Sequence, residues 1–269
     1  MPSQTVAATR PKARGRGGRR TAPPTARNTT ALLYRNSVWA FVAFAVAVLV
    51  AFWPSYFSRL ADQPTVHAHM HGIAMSLWCA MLIGQGWLIR AGHRPLHRTL
   101  GLASYALVPF IVYATVSFVH VRLQGASSLG SRELHSLALM LNATVIFAVI
   151  YGLAMCHRHT PATHARYMLC TIFPLFTPVT DRIIFRHIPS IVPLVPRIEG
   201  SPVVPFAGFL LADVILAGLW VWDWRSGRRS NAFPIALGIL LLYHVSVMTF
   251  HRLPAWRALG EWFVALPLS

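Results

Sequence analysis

The sequence predicts an all-α integral membrane protein, folded as a helical bundle with about seven transmembrane helices. The chain has 269 residues, of which 55% are hydrophobic and only 12% are charged. Soluble domains carry about twice that charged fraction. The apolar residues are gathered in runs of about 20, the length that an α-helix needs to cross a hydrocarbon core roughly 30 Å thick.

Seven apolar runs follow one another along the chain and define the predicted helices. The fifth run contains Pro174 and Pro178, which remove backbone donors and disfavour a straight helix. The second to fifth runs form a predicted core over 70–184. The seven runs are 37–53, 69–89, 99–119, 134–155, 165–184, 206–222 and 232–250, within a transmembrane domain of 37–250.

A basic arm, 1–36, precedes the first run. It contains eight Lys or Arg and no acid, and its Gly- and Arg-rich composition is too polar to fold alone. Basic segments beside a first membrane helix favour the cytoplasmic side and anionic lipid. We therefore expect a disordered cytoplasmic arm that does not bind nucleic acid, in a protein of the bacterial inner membrane. The residues after the last run, 251–269, are expected to form a short tail.

Histidines recur at the ends of the core runs. His71 and His97 are 26 residues apart, and His135 and His164 are 29 apart, which is one membrane crossing plus a turn. Successive helices run in opposite directions, so we expect His71 beside His135 at the outer surface and His97 beside His164 at the inner surface. Two imidazoles that face each other in a bundle can hold one haem iron.

Other polar residues lie within the apolar runs. Gln85 shares a helix face with His71, and Asn142 shares one with His135, so both faces are expected to point into the bundle, where an amide finds a partner. Asp213 is an acid well within a run, and an intramembrane carboxylate is a functional candidate. A neutral or arginine-paired structural role for Asp213 is the alternative.

The outer histidines also allow a different kind of site. His67 and His71 would share a helix face and, with His135, could hold a divalent metal ion near the outer surface. Interfacial histidines that only anchor helix ends are the alternative to both the haem and the metal hypotheses.

Short motifs in the second run and the turn after it resemble a known family. His71-Gly-Ile-Ala-Met75, followed by Gln85-Gly86 and Arg90, is similar to the first ligand helix of the two-haem transmembrane b-type cytochromes, which include ascorbate-dependent ferric reductases. Leu96-His97-Arg98-Thr99-Leu100-Gly101 is similar to a histidine-x-x-leucine-glycine pattern that lies on a later helix in that family. The resemblance covers about 70–184 and implies four core helices with one haem-ligand histidine each.

A closer resemblance is to bacterial multi-span membrane proteins of unassigned function. The shared motifs are a His-x-His-Gly start, a His-Arg-x-Leu-Gly turn and a His-x-Arg-x-Met turn, which begin at His69, His97 and His164 here. This resemblance implies a fold and no activity.

Three functional hypotheses follow. The first is an electron-transfer protein that binds haem b through the paired histidines and exchanges electrons with a quinone or another redox protein; oxidoreductase activity is left open. The second is a haem-free transporter or metal-handling protein that uses the outer histidines and Asp213. The third is an accessory membrane subunit. The sequence has no Gly-rich phosphate loop, nucleophile elbow or zinc-protease motif, and so gives no positive evidence for kinase or hydrolase chemistry.

Overall fold

The computed structural model describes residues 24–126, 128–227 and 230–268. These residues form a bundle of α-helices with almost no β-structure, which confirms the predicted all-α membrane helical bundle. The helices are α1 (Pro24–Phe52), α2 (Val66–Arg90), α3 (Arg94–Gln124), α4 (Ser131–Cys156), α5 (Pro161–Cys170), α6 (Phe173–His187), α7 (Pro205–Arg225), α8 (Ala232–Thr249) and α9 (Pro254–Ala265).

Short elements complete the described chain. Three 3-10 helices occupy Phe57–Asp62, Pro189–Leu194 and Phe250–Arg252. Strands β1 (Arg197–Ile198) and β2 (Ser201–Pro202) pair as an antiparallel hairpin. This hairpin lies in the connection between α6 and α7, and we call that end of the bundle the hairpin end. The other end, where α2, α4 and α7 finish, is called the short-turn end.

Most of the predicted runs appear as helices of membrane-spanning length. The first run corresponds to the apolar part, Asn36–Phe52, of the 29-residue helix α1. Within the described ranges, six helical segments are long and apolar enough to cross a membrane, and the protein is a multi-pass membrane protein. These segments are Val66–Arg90, Arg94–Gln124, Ser131–Cys156, Pro161–His187, Pro205–Arg225 and Ala232–Arg252.

The fifth predicted run is divided where its prolines indicated a break. Helix α5 ends at Cys170 and α6 begins at Phe173. Pro174 occupies the first turn of α6, where the missing backbone N–H has no intrahelical partner to lose. Pro178 follows inside α6.

Helix α4 lies at the centre of the bundle. It packs against α3, α5, α6, α8 and α9, while α1 packs on α2, α2 on α3 and α7 on α8. Its side chains Phe147 and Ile150 are almost completely buried, as are Trp78 of α2, Leu216 of α7 and Leu240 of α8. The helices that carry the candidate histidines are therefore held around one apolar core.

Both predicted terminal segments differ from expectation. Helix α1 begins at Pro24, so 24–36 is helical, whereas the sequence predicted a disordered arm. Proline suits the first helical turn, and the chain between Pro24 and Pro54 contains neither Gly nor Pro to interrupt a helix. The part of the arm at 1–23 lies outside the described residues.

The segment after the last run contains a packed helix and is not a simple tail. Phe263 of α9 is buried against Leu137 of α4. Trp256 donates its indole N–H to the carbonyl oxygen of Leu134 at 3.0 Å. Helix α9 therefore folds back over the hairpin end of the bundle.

Candidate functional site

Two of the predicted ligand histidines face each other at the short-turn end. His97 lies in the first turn of α3, and His164 lies in the first turn of α5. Their ring centroids are 6.5 Å apart and their ring planes are inclined at 82°. Two imidazoles that ligate one metal atom from opposite sides, with metal–nitrogen bonds of about 2 Å each, have centroids about 6 Å apart.

Hydrogen bonding leaves one ring nitrogen of His164 available to a ligand. Its Nδ1 lies 2.8 Å from the carbonyl oxygen of Ala154, so Nδ1 carries the proton and Nε2 keeps its lone pair. The Nδ1 atom of His97 is buried without a hydrogen-bond partner in the described structure, and the backbone of Gln85 lies beside this ring. Buried polar atoms are almost always satisfied, and this unsatisfied nitrogen is consistent with a pair that binds a metal or cofactor.

A buried ion pair anchors the helix that carries His164. Arg166 donates through Nε to Oδ2 of Asp223 on α7 at 2.9 Å, and its Nη2 also contacts Oδ1. Both side chains are 1% exposed. Arg166 also donates to the carbonyl oxygen of Ala162 at 2.7 Å. Asp223 lies just beyond the sixth apolar run, so the apolar pattern does not mark it as a buried residue. The sequence signal for its partner is the His-x-Arg-x-Met turn that contains Arg166.

The predicted outer pair is not brought together in the same way. His71 stacks on Phe118 of α3, with centroids 5.2 Å apart and ring planes 6° apart. Its Nδ1 lies 3.1 Å from Oγ1 of Thr115. The Thr115 hydroxyl donates to the carbonyl oxygen of Ile111, so it accepts the proton of His71. The His71 ring therefore packs against α3.

His135 has another histidine as its neighbour. Its ring centroid lies 6.3 Å from that of His251, with the planes at 77°. Its Nδ1 lies 3.0 Å from the carbonyl oxygen of Val247, while the buried Nδ1 of His251 has no hydrogen-bond partner in the described structure. The sequence predicted His71 as the neighbour of His135. His135 lies beside His251 because α4 packs on α8 and on the 3-10 helix that follows α8.

The alternative three-histidine metal site is not assembled. Nδ1 of His67 contacts the hydroxyl of Ser117, and His71 and His135 have the separate neighbours described above. Among the described residues, no group of three or more His, Cys, Asp or Glu side chains is placed to hold a metal ion.

The predicted buried amides both point into the bundle. Asn142 of α4 donates to the hydroxyl oxygen of Ser246 on α8 at 2.8 Å. Gln85 of α2 is buried, its Nε2 contacts the sulfur of Met81 at 3.8 Å, and its Oε1 has no hydrogen-bond partner in the described structure. Of these two amides, it is Asn142 that joins two helices through a side-chain hydrogen bond.

Asp213 is paired with a histidine on the neighbouring helix. Nδ1 of His244 lies 3.1 Å from Oδ2 of Asp213, with side chains 10% and 20% exposed. The His244 ring stacks on Phe209 at a centroid distance of 4.1 Å. The second carboxylate oxygen of Asp213 is buried without a partner in the described structure.

A large cavity opens among α1, α2, α3, α4 and α6 towards the hairpin end. Its volume is about 670 Å³, and its walls are mostly apolar. His71 and Thr115 lie on its wall. Its charged lining residues are Arg122, Asp181, Arg182 and Arg186. A second cavity of about 580 Å³ adjoins it and shares Arg122 and Asp181 with it.

Comparisons with protein-family models, curated proteins and solved structures give no match for this chain. The resemblance to the two-haem b-type cytochromes thus stays a prediction from the short motifs.

Proposed function

We propose that this chain is a transmembrane electron-transfer protein of b-type cytochrome character, with haem b held at the short-turn end by His97 and His164. One observation carries the proposal: the two imidazole rings lie edge to face, with centroids 6.5 Å apart, at the first turns of two helices. That spacing is compatible with one metal atom between two imidazoles.

The surrounding residues fit a bis-histidine site. The carbonyl of Ala154 fixes the tautomer of His164, as outer-shell partners of metal-ligating histidines do. The Arg166–Asp223 pair holds α5 in place. Arg94 and Arg98, exposed beside His97, have the charge that would pair with haem propionates. Bound haem would supply one-electron redox chemistry.

The proposal extends to location and partners. A bacterial inner membrane with the short-turn end in the cytoplasm agrees with the basic segment before α1. Electrons would then be exchanged with a quinone or with another redox protein at the membrane surface.

A visible spectrum of the protein purified after expression with ample haem tests the proposal. We expect reduced-minus-oxidised haem b bands and a positive pyridine haemochrome assay, and we expect His97→Ala and His164→Ala each to abolish the signal of this site. His159→Ala is the matched control, since His159 is exposed at the same end. Colourless wild-type protein, or variants with unchanged haem content, would reject the site.

A second candidate, proton-coupled transport without haem, is favoured by the pair formed by Asp213 and His244. Both groups lie within membrane-spanning segments, and intramembrane acid–histidine pairs are typical of proton pathways. Proteoliposomes with a pH-sensitive dye inside provide the test. If Asp213 carries protons, Asp213→Asn abolishes a flux that Glu261→Gln, an exposed control on α9, preserves. The absence of any flux in the wild type argues against this candidate.

A further inference from the structure

We propose that the cavity at the hairpin end binds an amphipathic anion, a lipid-like molecule with one apolar chain and a carboxylate or phosphate head. The proposal goes beyond electron transfer and does not depend on haem. It stands on the shape, the lining and the charge of the cavity.

The interior of the cavity suits an apolar chain. Its volume of about 670 Å³ lies within the range of roughly 300–1,000 Å³ that is usual for small-ligand sites. Met75, Cys79, Ile111, Phe147 and Leu175 contribute to its walls. Burial of a hydrocarbon chain against such walls contributes affinity in proportion to the apolar area covered.

The charged part of the lining carries an excess of positive charge. Three guanidinium groups, those of Arg122, Arg182 and Arg186, contribute to the lining with one carboxylate, that of Asp181. The adjacent His71 donates its Nδ1 proton to the hydroxyl of Thr115. An anionic head is thus favoured over a neutral or cationic one.

The arginines are oriented by contacts that leave donors for a ligand. Arg182 donates through Nη1 to the carbonyl oxygen of Pro178 at 2.8 Å and lies 3.3 Å from Oδ1 of Asp181. Its guanidinium also lies over the ring of Phe52, 4.4 Å from the centroid. A guanidinium has five N–H donors, and the hydrogen bonds that Arg182 makes within the described structure use Nη1. The group is preorganised and can still bind a carboxylate or phosphate.

The connection between α1 and α2 contributes to the lining of the cavity. Tyr56 lines the cavity and donates to the carbonyl oxygen of His69 at 3.4 Å. Arg186 of α6 donates to the carbonyl oxygen of Ala51 at 2.8 Å. These contacts join α1, α2 and α6 beside the cavity. We expect the head of the ligand to lie near the arginines and its chain among the apolar side chains.

A direct binding assay with the full chain in a neutral detergent tests whether the cavity requires an anionic head group on its ligand. Tritiated palmitate is the probe, and hexadecyl phosphate, hexadecanol and inorganic phosphate are competitors. We expect hexadecyl phosphate to compete, hexadecanol to be at least about tenfold weaker, and inorganic phosphate not to compete. Arg182→Gln and Arg122→Gln should each weaken palmitate binding about tenfold, the loss expected for one charge-assisted hydrogen bond. Arg197→Gln, exposed at the same end, is the control.

A cavity-filling variant tests the chain of the ligand. Ser76 lines the cavity, and its hydroxyl donates only to its own helix, to Gly72. Ser76→Phe should abolish palmitate binding; Met75→Trp replaces it if the first variant does not fold. Equal binding of palmitate and hexadecanol, or binding unchanged in the arginine variants, overturns the proposal, and competition by inorganic phosphate indicates a free-anion site instead. Because these variants lie at the hairpin end, the haem spectrum of the short-turn site should be unchanged in them.

Discussion

Single residues show a shared arrangement in the two histidine pairs. In each pair one imidazole, that of His164 or His135, donates its Nδ1 proton to a backbone carbonyl of a neighbouring helix. The other ring, of His97 or His251, has a buried Nδ1 without a partner in the described structure. Such hydrogen bonds set the tautomer and leave Nε2 to a ligand. The spacing of histidines in the sequence indicates where the rings lie along their helices but not what their nitrogens contact.

The buried ion pair gives the first prediction. Removing one partner leaves an uncompensated buried charge, so Arg166→Gln or Asp223→Asn should lower the free energy of unfolding by about 3–5 kcal/mol. We expect a reduced melting temperature in detergent and, because α5 loses its anchor, a loss of the haem bound by His164.

The matched double variant separates charge from packing. Arg166→Met combined with Asp223→Leu removes both charges and should recover most of the stability, because apolar replacements of a buried pair are often tolerated. A single variant that melts like the wild type would show that the pair does not anchor α5.

At the level of elements, the close approach of α6 and α7 depends on a glycine. A Cβ atom at Gly208 would overlap the hydroxyl oxygen of Thr180 and lie 3.4 Å from the Thr177 Cα. The Thr180 hydroxyl is already bound to the Thr177 carbonyl. Small residues allow membrane helices to approach in this way, and here the approach brings α7, with Asp213, against the helix that carries Arg182.

Gly208→Ala is therefore expected to destabilise the protein, by about 1–3 kcal/mol, because added volume at a packed contact forces the helices apart. Gly218→Ala on the same helix is the control, since no atom lies within 4 Å of its added Cβ. The control should be neutral or stabilising by about 0.5–1 kcal/mol, as expected for Gly→Ala within a helix. Thermal melting in detergent distinguishes the two, and equal melting temperatures would contradict the steric explanation.

At the scale of the whole molecule, the number of membrane crossings determines on which sides of the membrane the two termini lie. Among the described residues, six segments are long and apolar enough to span, and Asn36–Phe52 is the apolar part of the longer helix α1. If that helix also crosses, as its apolar composition and the basic residues before it predict, the two termini lie on opposite sides.

Fusions after residue 268 test this topology in a bacterial host. We expect an active alkaline phosphatase fusion and a dark green-fluorescent-protein fusion, because the C-terminus would be outside the cytoplasm. The same pair of reporters placed after Arg90 provides a cytoplasmic reference. A fluorescent C-terminal fusion would show six crossings, with Asn36–Phe52 not spanning the membrane.

The sequence by itself determined the apolar helices between the two terminal segments and the depth of their polar residues, because apolar run length and helical rise are local properties. It also indicated the interruption near Pro174 and the meeting of His97 with His164. Only the tertiary structure decided which helices are neighbours. Packing of these neighbours places His135 beside His251, His71 against α3 and Asp223 beside a buried arginine. Such contacts form between segments that are distant in sequence. The cavity likewise belongs to no single segment, because five helices contribute its walls.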